Sequence, residues 1–190
     1  MEAKKIARGD VDPARVELLK KSPARVVGVR TAKLFGTAAS NRQQVFETYR
    51  KALDIKGNAG RGKVVFKNNC SACHKLENVG EEVGADLKAV KDRGLESVLL
   101  NILDPNREVK PQFLTYAVDL KNGRLVTGMI TQETATGLTI HRPDGTTEAI
   151  ARPQIDQLRS SGLSYMPEGL EKQIDVPAMA DLLAYLASVK

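Results

Sequence analysis

The sequence predicts a mainly α chain with a small antiparallel β-sheet inserted into it and a helical extension at its N-terminus. Three observations carry this. Apolar residues recur at helical spacing in several segments before residue 104 and again at the C-terminus. Between Phe113 and Ile150 the apolar period drops from helical to two. Gly57, Gly60 and Gly62 mark a break that divides the 190 residues into an extension, 1–55, and a larger domain, 56–190, with the sheet inserted at about 113–151.

Each element has its own local cause. In "DVDPARVELLKK", Asp12 is placed to N-cap a helix and Pro13 to open it, and Ser22 with Pro23 repeats the arrangement before a helix that Gly36 ends. A third helix, "SNRQQVFETYRKAL", sets Val45, Tyr49 and Leu53 one turn apart. "GKVVFKNN" runs helically into a cysteine motif, and "LESVLLNILDPN" carries Val98, Leu99, Ile102 and Leu103 on one side before Asp104-Pro105 closes it. "FLTYAVDL", "LVTGMIT", "TGLTIHR" and "TTEAI" read as about four strands, with an Asn-Gly turn in "KNGR" and a second turn at "PDG". After them come a short helix in "RPQIDQLRSSG", an irregular "LSYMPEGLE" and a last helix, "VPAMADLLAYLASV", with Leu182, Tyr185, Leu186 and Val189 in one stripe.

Composition narrows the function. Aromatics are 4% with no tryptophan, which argues against a stacking platform for single-stranded nucleic acid. The net charge of +6 belongs to the N-terminal third, where 14 Lys/Arg face 6 Asp/Glu in residues 1–62, against 15 and 17 in the remainder. Those basic residues are scattered along helices, so they read as solvated faces rather than a nucleic-acid patch. No stretch has the apolar length that spans a bilayer, so no transmembrane segment is expected, and the opening residues lack the apolar core of a signal peptide.

The chemistry concentrates in "FKNNCSACHKL", which holds both cysteines, Cys70 and Cys73, and directly behind them His74. A redox pair of the thioredoxin kind needs a strand before it in a βαβ unit, whereas here a helix precedes. A zinc site needs four ligands, and only His74 and His141 could complete the set. A disulfide would close a very short loop and add little stability. The reading the spacing favours is covalent haem attachment: each thiol adds to one haem vinyl group, and the histidine behind them becomes the proximal iron ligand.

A sixth ligand must then come from Met129, Met166, Met179 or His141. Met179 sits beside the apolar stripe of the last helix and reads as core, and Met129 and His141 lie inside strands. Met166 stands in the irregular "SYMPEG", held by Pro167, and is the expected distal ligand.

"GRGKVVFKNNCSACHKL", "VGADLKAVKDR", "SYMPEG" and "DLLAYLASV" fall in the order found in class I c-type cytochromes, and the chain resembles that family. The longer string "LLNILDPNREVKPQFLTYAVDLKNGRLVTGMITQETATGLTI" with "SSGLSYMPEGLE" is similar to a narrower group, the haem-binding domain at the C-terminal end of large exported multidomain proteins of planctomycete- and verrucomicrobium-type bacteria. The resemblance implies the class I cytochrome c helical fold with a β insertion, its first helix crossing its last through Gly62, Phe66 and Tyr185. It implies one covalently attached haem c. It also implies that the turn Gly84-Ala85-Asp86-Leu87 offers a carbonyl to the free N–H of His74, with Leu87 lining the cofactor, and that Arg93 pairs with a haem propionate.

The expected activity is one-electron transfer, not catalysis, by a monohaem cytochrome with His74 and Met166 as axial ligands. Electrons would come from a fused or partner dehydrogenase and leave to another cytochrome or an oxidase. Maturation of such haem implies a periplasmic or otherwise exported protein. Two rivals are a haem sensor or peroxidase-like domain with an open distal site, which would need a distal acid–base group, and an assembly module acting through the sheet edge. The sequence leaves the oligomeric state open.

Overall fold

A computed structural model describes residues 13–35, 42–88 and 90–189. Asp12 and Gly36, expected to bound two helices, lie outside the described residues. The chain divides into two compact units, Met1–Ser40 with Lys110–Tyr165, and Asn41–Val109 with Met166–Lys190.

In the first unit the helices α1 (Pro13–Lys20) and α2 (Arg25–Phe35) accompany a five-stranded antiparallel sheet. Its strands are β1 (Leu114–Leu120), β2 (Leu125–Glu133), β3 (Gly137–His141), β4 (Thr147–Ala151) and β5 (Ile155–Ser164), in the order β4-β3-β2-β1-β5. Asn122-Gly123 makes the first hairpin, with Gly123 at φ +82° and Asn122 accepting from the Arg124 N–H at 3.0 Å. Asp144-Gly145 makes the third, with Gly145 at φ +83°. Val118, Leu120, Val126, Leu138, Ile140 and Ile150 bury one core. Thr115 and Ala117, on the opposite face of β1, are buried as well, and α1 lies against β1 and β5.

This overturns the expected fold class. The chain is not a mainly α cytochrome-like fold with a small insertion; it is a mixed α/β chain in which a five-stranded sheet and the first two helices form a unit of their own. The missed strand is β5. Ile155, Leu158 and Ser161 recur every three residues, a spacing that reads as helix. The segment is extended because it pairs with β1, from Leu120↔Ile155 to Leu114↔Ser164, and two register shifts absorb the mismatch with a period of two. The tertiary partner overrides the local pattern.

The second unit is built on helices. It holds α3 (Arg42–Tyr49), continued by a 3-10 turn to Leu53, then α4 (Ala59–Asn69), α5 (Leu95–Leu103) and α6 (Val176–Ser188). Asn58 caps α4 by accepting from the Arg61 N–H at 3.0 Å, and Asp175 caps α6 by accepting from the Ala178 N–H at 2.9 Å. Helices α4 and α6 cross closely because Gly57 and Gly62 leave room: a Cβ at Gly62 would overlap Asp181 O. One turn on, Phe66 packs on Tyr185 with ring centroids 5.6 Å apart. Phe46 and Ala52 bury in this same core, so the segment 42–53, expected to belong to the extension, packs in the second unit.

Candidate functional site

Helix α4 delivers the cysteine motif. Cys70 is its C-cap, donating its N–H to Phe66 O at 2.8 Å, and the chain then makes one further turn in which Cys73 and His74 both donate to Cys70 O, at 3.1 and 2.9 Å. That turn gathers two thiols and an imidazole within five residues. The following segment folds back along it. Glu81 N–H donates to Ser71 O at 2.9 Å, and the N–H groups of Val83 and Gly84 donate to Cys73 O at 3.0 and 2.6 Å. Gly80, at φ +94°, makes the reversal possible, since a Cβ there would meet the backbone of Ser71 and His74.

This return places Gly84 against the imidazole of His74. A Cβ at position 84 would sit 2.6 Å from Cε1 and 2.9 Å from Nδ1. The next residue supplies the polar contact: His74 Nδ1 donates to Ala85 O at 2.9 Å. A carbonyl can only accept, so Nδ1 carries the proton and Nε2 keeps the lone pair. Burial lowers the imidazole's pKa and so favours the neutral ring a metal requires, and the Ala85 bond opposes this only in part.

The thiols are free, and burial pushes both up, Cys70 to about 11 with a further contribution from Cys73. Both are therefore protonated at neutral pH. They also stand at the C-terminal end of α4, where the helix dipole opposes a thiolate. A thiol-exchange pair needs the reverse, a lowered pKa at a helix N-terminus. Among the described residues no three His, Cys, Asp or Glu side chains gather into a metal-holding group, so the four zinc ligands weighed above are not assembled.

The remaining expected residues fall as follows. Leu87 is half-buried against the helical core, as is Cys70. Arg93 ends the 3-10 turn Val90–Arg93 with an exposed side chain. Met166 is half-buried in an irregular segment between β5 and the 3-10 turn Leu170–Lys172. Its competitors are engaged elsewhere. Met179 is fully buried in the helical core, Met129 is buried in β2, and His141 in β3 shares a 2.8 Å hydrogen bond between Nδ1 and the hydroxyl of Tyr165.

Two features of this site escaped the sequence reading. Gly84 was legible only as part of a turn, and its contact with the imidazole ring has no local signature. Arg42, on α3, joins the segment that follows Met166, through Glu171 at 3.1 Å. No family model matches the chain, and no curated protein matches it.

Proposed function

We propose that this chain is a one-electron carrier holding a single covalently attached haem c, with Cys70 and Cys73 as the attachment points and His74 and Met166 as axial ligands. The observation that carries the reading is the turn Cys70–His74. Its backbone carries two free thiols and, directly after them, an imidazole whose Nδ1–H is fixed by Ala85 O at 2.9 Å and whose Nε2 lone pair is thereby kept for a metal. The haem supplies a reversible ferrous–ferric couple when bound.

The chain's residues have separate tasks. Cys70 and Cys73 would hold the haem through two thioethers, each S–H and vinyl C=C being exchanged for a C–S and a C–H bond, so that no oxidant is required. Gly84 and Ala85 hold the imidazole plane and its tautomer. Met166 offers a thioether from a segment outside regular structure, while Met129 and Met179 are committed to cores. Leu87, half-buried against the helical core as Cys70 is, would help exclude water, and Arg93 would offer a cation for a propionate. The partners that suit such a carrier are a dehydrogenase as donor, fused or separate, and a cytochrome or oxidase as acceptor, in an exported compartment. No described helix is long and apolar enough to cross a membrane.

Two measurements test this. Acidified organic extraction should leave the colour with the protein, and titration of the unfolded holoprotein should find no free thiol. Met166→Ala should abolish the weak red charge-transfer band of the ferric protein, lower the reduction potential and let carbon monoxide bind the ferrous protein rapidly, whereas Met129→Leu should leave the band in place. Extractable haem defeats the attachment. A wild type that already binds carbon monoxide readily, or a silent Met166→Ala, favours an open-site sensor or peroxidase-like domain instead.

A further inference from the structure

Arg42 begins α3, far in sequence from the cysteine motif, yet its side chain is only 13% exposed. It donates from Nη1 to Leu103 O, at the end of α5, at 3.0 Å. Nη1 and Nη2 each donate to Glu171 Oε1 at 3.1 Å, and Nε lies 3.7 Å from Glu168 Oε2. Glu168 Oε1 also accepts from Asn106 Nδ2 at 2.7 Å. Seven residues along the same helix, the Tyr49 hydroxyl donates to Glu171 O at 2.8 Å and lies 2.9 Å from Ile174 O. The backbone from Glu168 to Ile174 is thus fastened to α3 and to the end of α5. Met166 precedes the first of these anchors by two residues, with Pro167 between them fixing one dihedral.

We propose that Arg42 is the positioning residue for Met166, holding Glu168 and Glu171 so that the methionine is presented from a stationary segment; this rests on the reading of Met166 as axial ligand. A ligand on an irregular segment is held no more firmly than that segment, whose local opening need not wait for global unfolding. Charge makes Arg42 the central fastening. Glu171 Oε2 is buried with no hydrogen-bond partner among the described residues, so the carboxylate depends on Arg42 for compensation. Without that guanidinium, Glu171 is driven toward water and takes the segment with it. Tyr49 adds a neutral contact, since burial, then Glu171 and Asp175, raises its pKa and keeps the hydroxyl a donor.

The test uses the full-length haem-loaded protein in four variants: Arg42→Gln, Glu171→Gln, Met166→Ala and Arg61→Gln. The last removes an ion pair of the same unit, Arg61 to Asp181 at 2.6 Å, that belongs to the α4–α6 crossing. Arg42→Gln should weaken the red charge-transfer band and raise the carbon monoxide association rate about tenfold, which corresponds to roughly 1.4 kcal/mol of lost segment stability. It should also speed amide hydrogen exchange at residues 168–174 ahead of the rest of the chain. Glu171→Gln should move the same readouts in the same direction, and it decides the matter if Arg42→Gln does not accumulate as folded protein. Arg61→Gln should lower the melting temperature without touching band or rate. The positioning role is overturned if Arg42→Gln and Glu171→Gln change the rate by less than about twofold, or no more than Arg61→Gln does, while Met166→Ala opens the site. A silent Met166→Ala overturns the ligand assignment itself and the positioning role with it.

Discussion

His74 is held by backbone on one side and by a missing side chain on the other. Ala85 O fixes its proton, and the bare Cα of Gly84 lies against its ring. Gly84→Ala would bring a methyl group to within 2.6 Å of Cε1, so either the ring turns or the return segment lifts. Overpacking of this kind costs about 1–3 kcal/mol. Urea unfolding of Gly84→Ala should show that loss, and its haem-to-protein ratio after maturation should fall below wild type, because the turned ring no longer presents Nε2. Wild-type stability and full loading would mean that the contact with Gly84 does not constrain the ring. The motif was legible at this scale because its five residues are consecutive; the Gly84 contact was not, because it joins residues ten apart through a reversal that Gly80 permits.

The crossing of α4 and α6 depends on two glycines and one carboxylate. Gly62→Ala cannot be accommodated by a side-chain shift, since the atoms it would meet are the backbone of Asp181 and the Cβ of Tyr185. A loss at or above the upper end of the usual 1–3 kcal/mol is expected in denaturant unfolding, with Phe66 and Tyr185 forced apart. Asp181 binds the start of α4 from the middle of α6. It accepts from the Asn58 N–H at 2.6 Å and from Arg61 Nε and Nη2 at 2.6 and 2.8 Å. The Arg61 hydrogen bond, and after it the Asn58 N–H, hold this carboxyl below the usual range. The folded pKa is thus lower than the unfolded one. The carboxylate's contribution is present above the unfolded value of about 4 and is lost as pH falls through the folded value. Asp181→Asn should therefore lower the melting temperature at pH 7 and flatten its decline below about pH 4. An unchanged acid limb would show that other carboxylates govern it. At this scale the apolar stripe of α6 through Leu182, Tyr185 and Leu186 was legible from its spacing, whereas the Asp181 junction was not, because nothing local marks an acid on an apolar helix as a cap for another.

Two units share one chain because the sheet is inserted between Val109 and Met166. Its ends lie together: Tyr165 N–H donates to Phe113 O at 2.8 Å, extending the β1–β5 pairing. Replacing 114–164 by an Asn-Gly turn, in a chain that begins at Asn41, therefore asks for little loop-closure entropy. That shortened chain should fold, take haem covalently and keep the red band if the second unit is sufficient for the site. Failure to hold haem would assign the first unit an essential part. A chain begun at Ile55 should fare worse. It lacks Phe46, 7% exposed in the helical core, whose loss costs about 3–5 kcal/mol, and it lacks Arg42 and Tyr49. The sequence break at Gly57–Gly62 pointed to 55 as the boundary because glycines signal a change of backbone. Gly57 and Gly62 are there instead for the close passage of α4 over α6.

By itself the sequence determined what short range governs: the helix opening at Pro13, the hairpins at Asn122-Gly123 and Asp144-Gly145, four of the five strands, and a motif whose chemistry sits in five consecutive residues. Tertiary structure decided what depends on partners distant along the chain. Strand β5 is extended because β1 offers unpaired N–H and C=O groups that must be satisfied. The segment 42–53 belongs to the second unit because Phe46 finds its core there, and Arg42 meets Glu171 across 129 residues. Propensity and capping act over a turn or two and can be read locally, whereas burial and pairing are settled only by whichever surface the folded chain brings alongside.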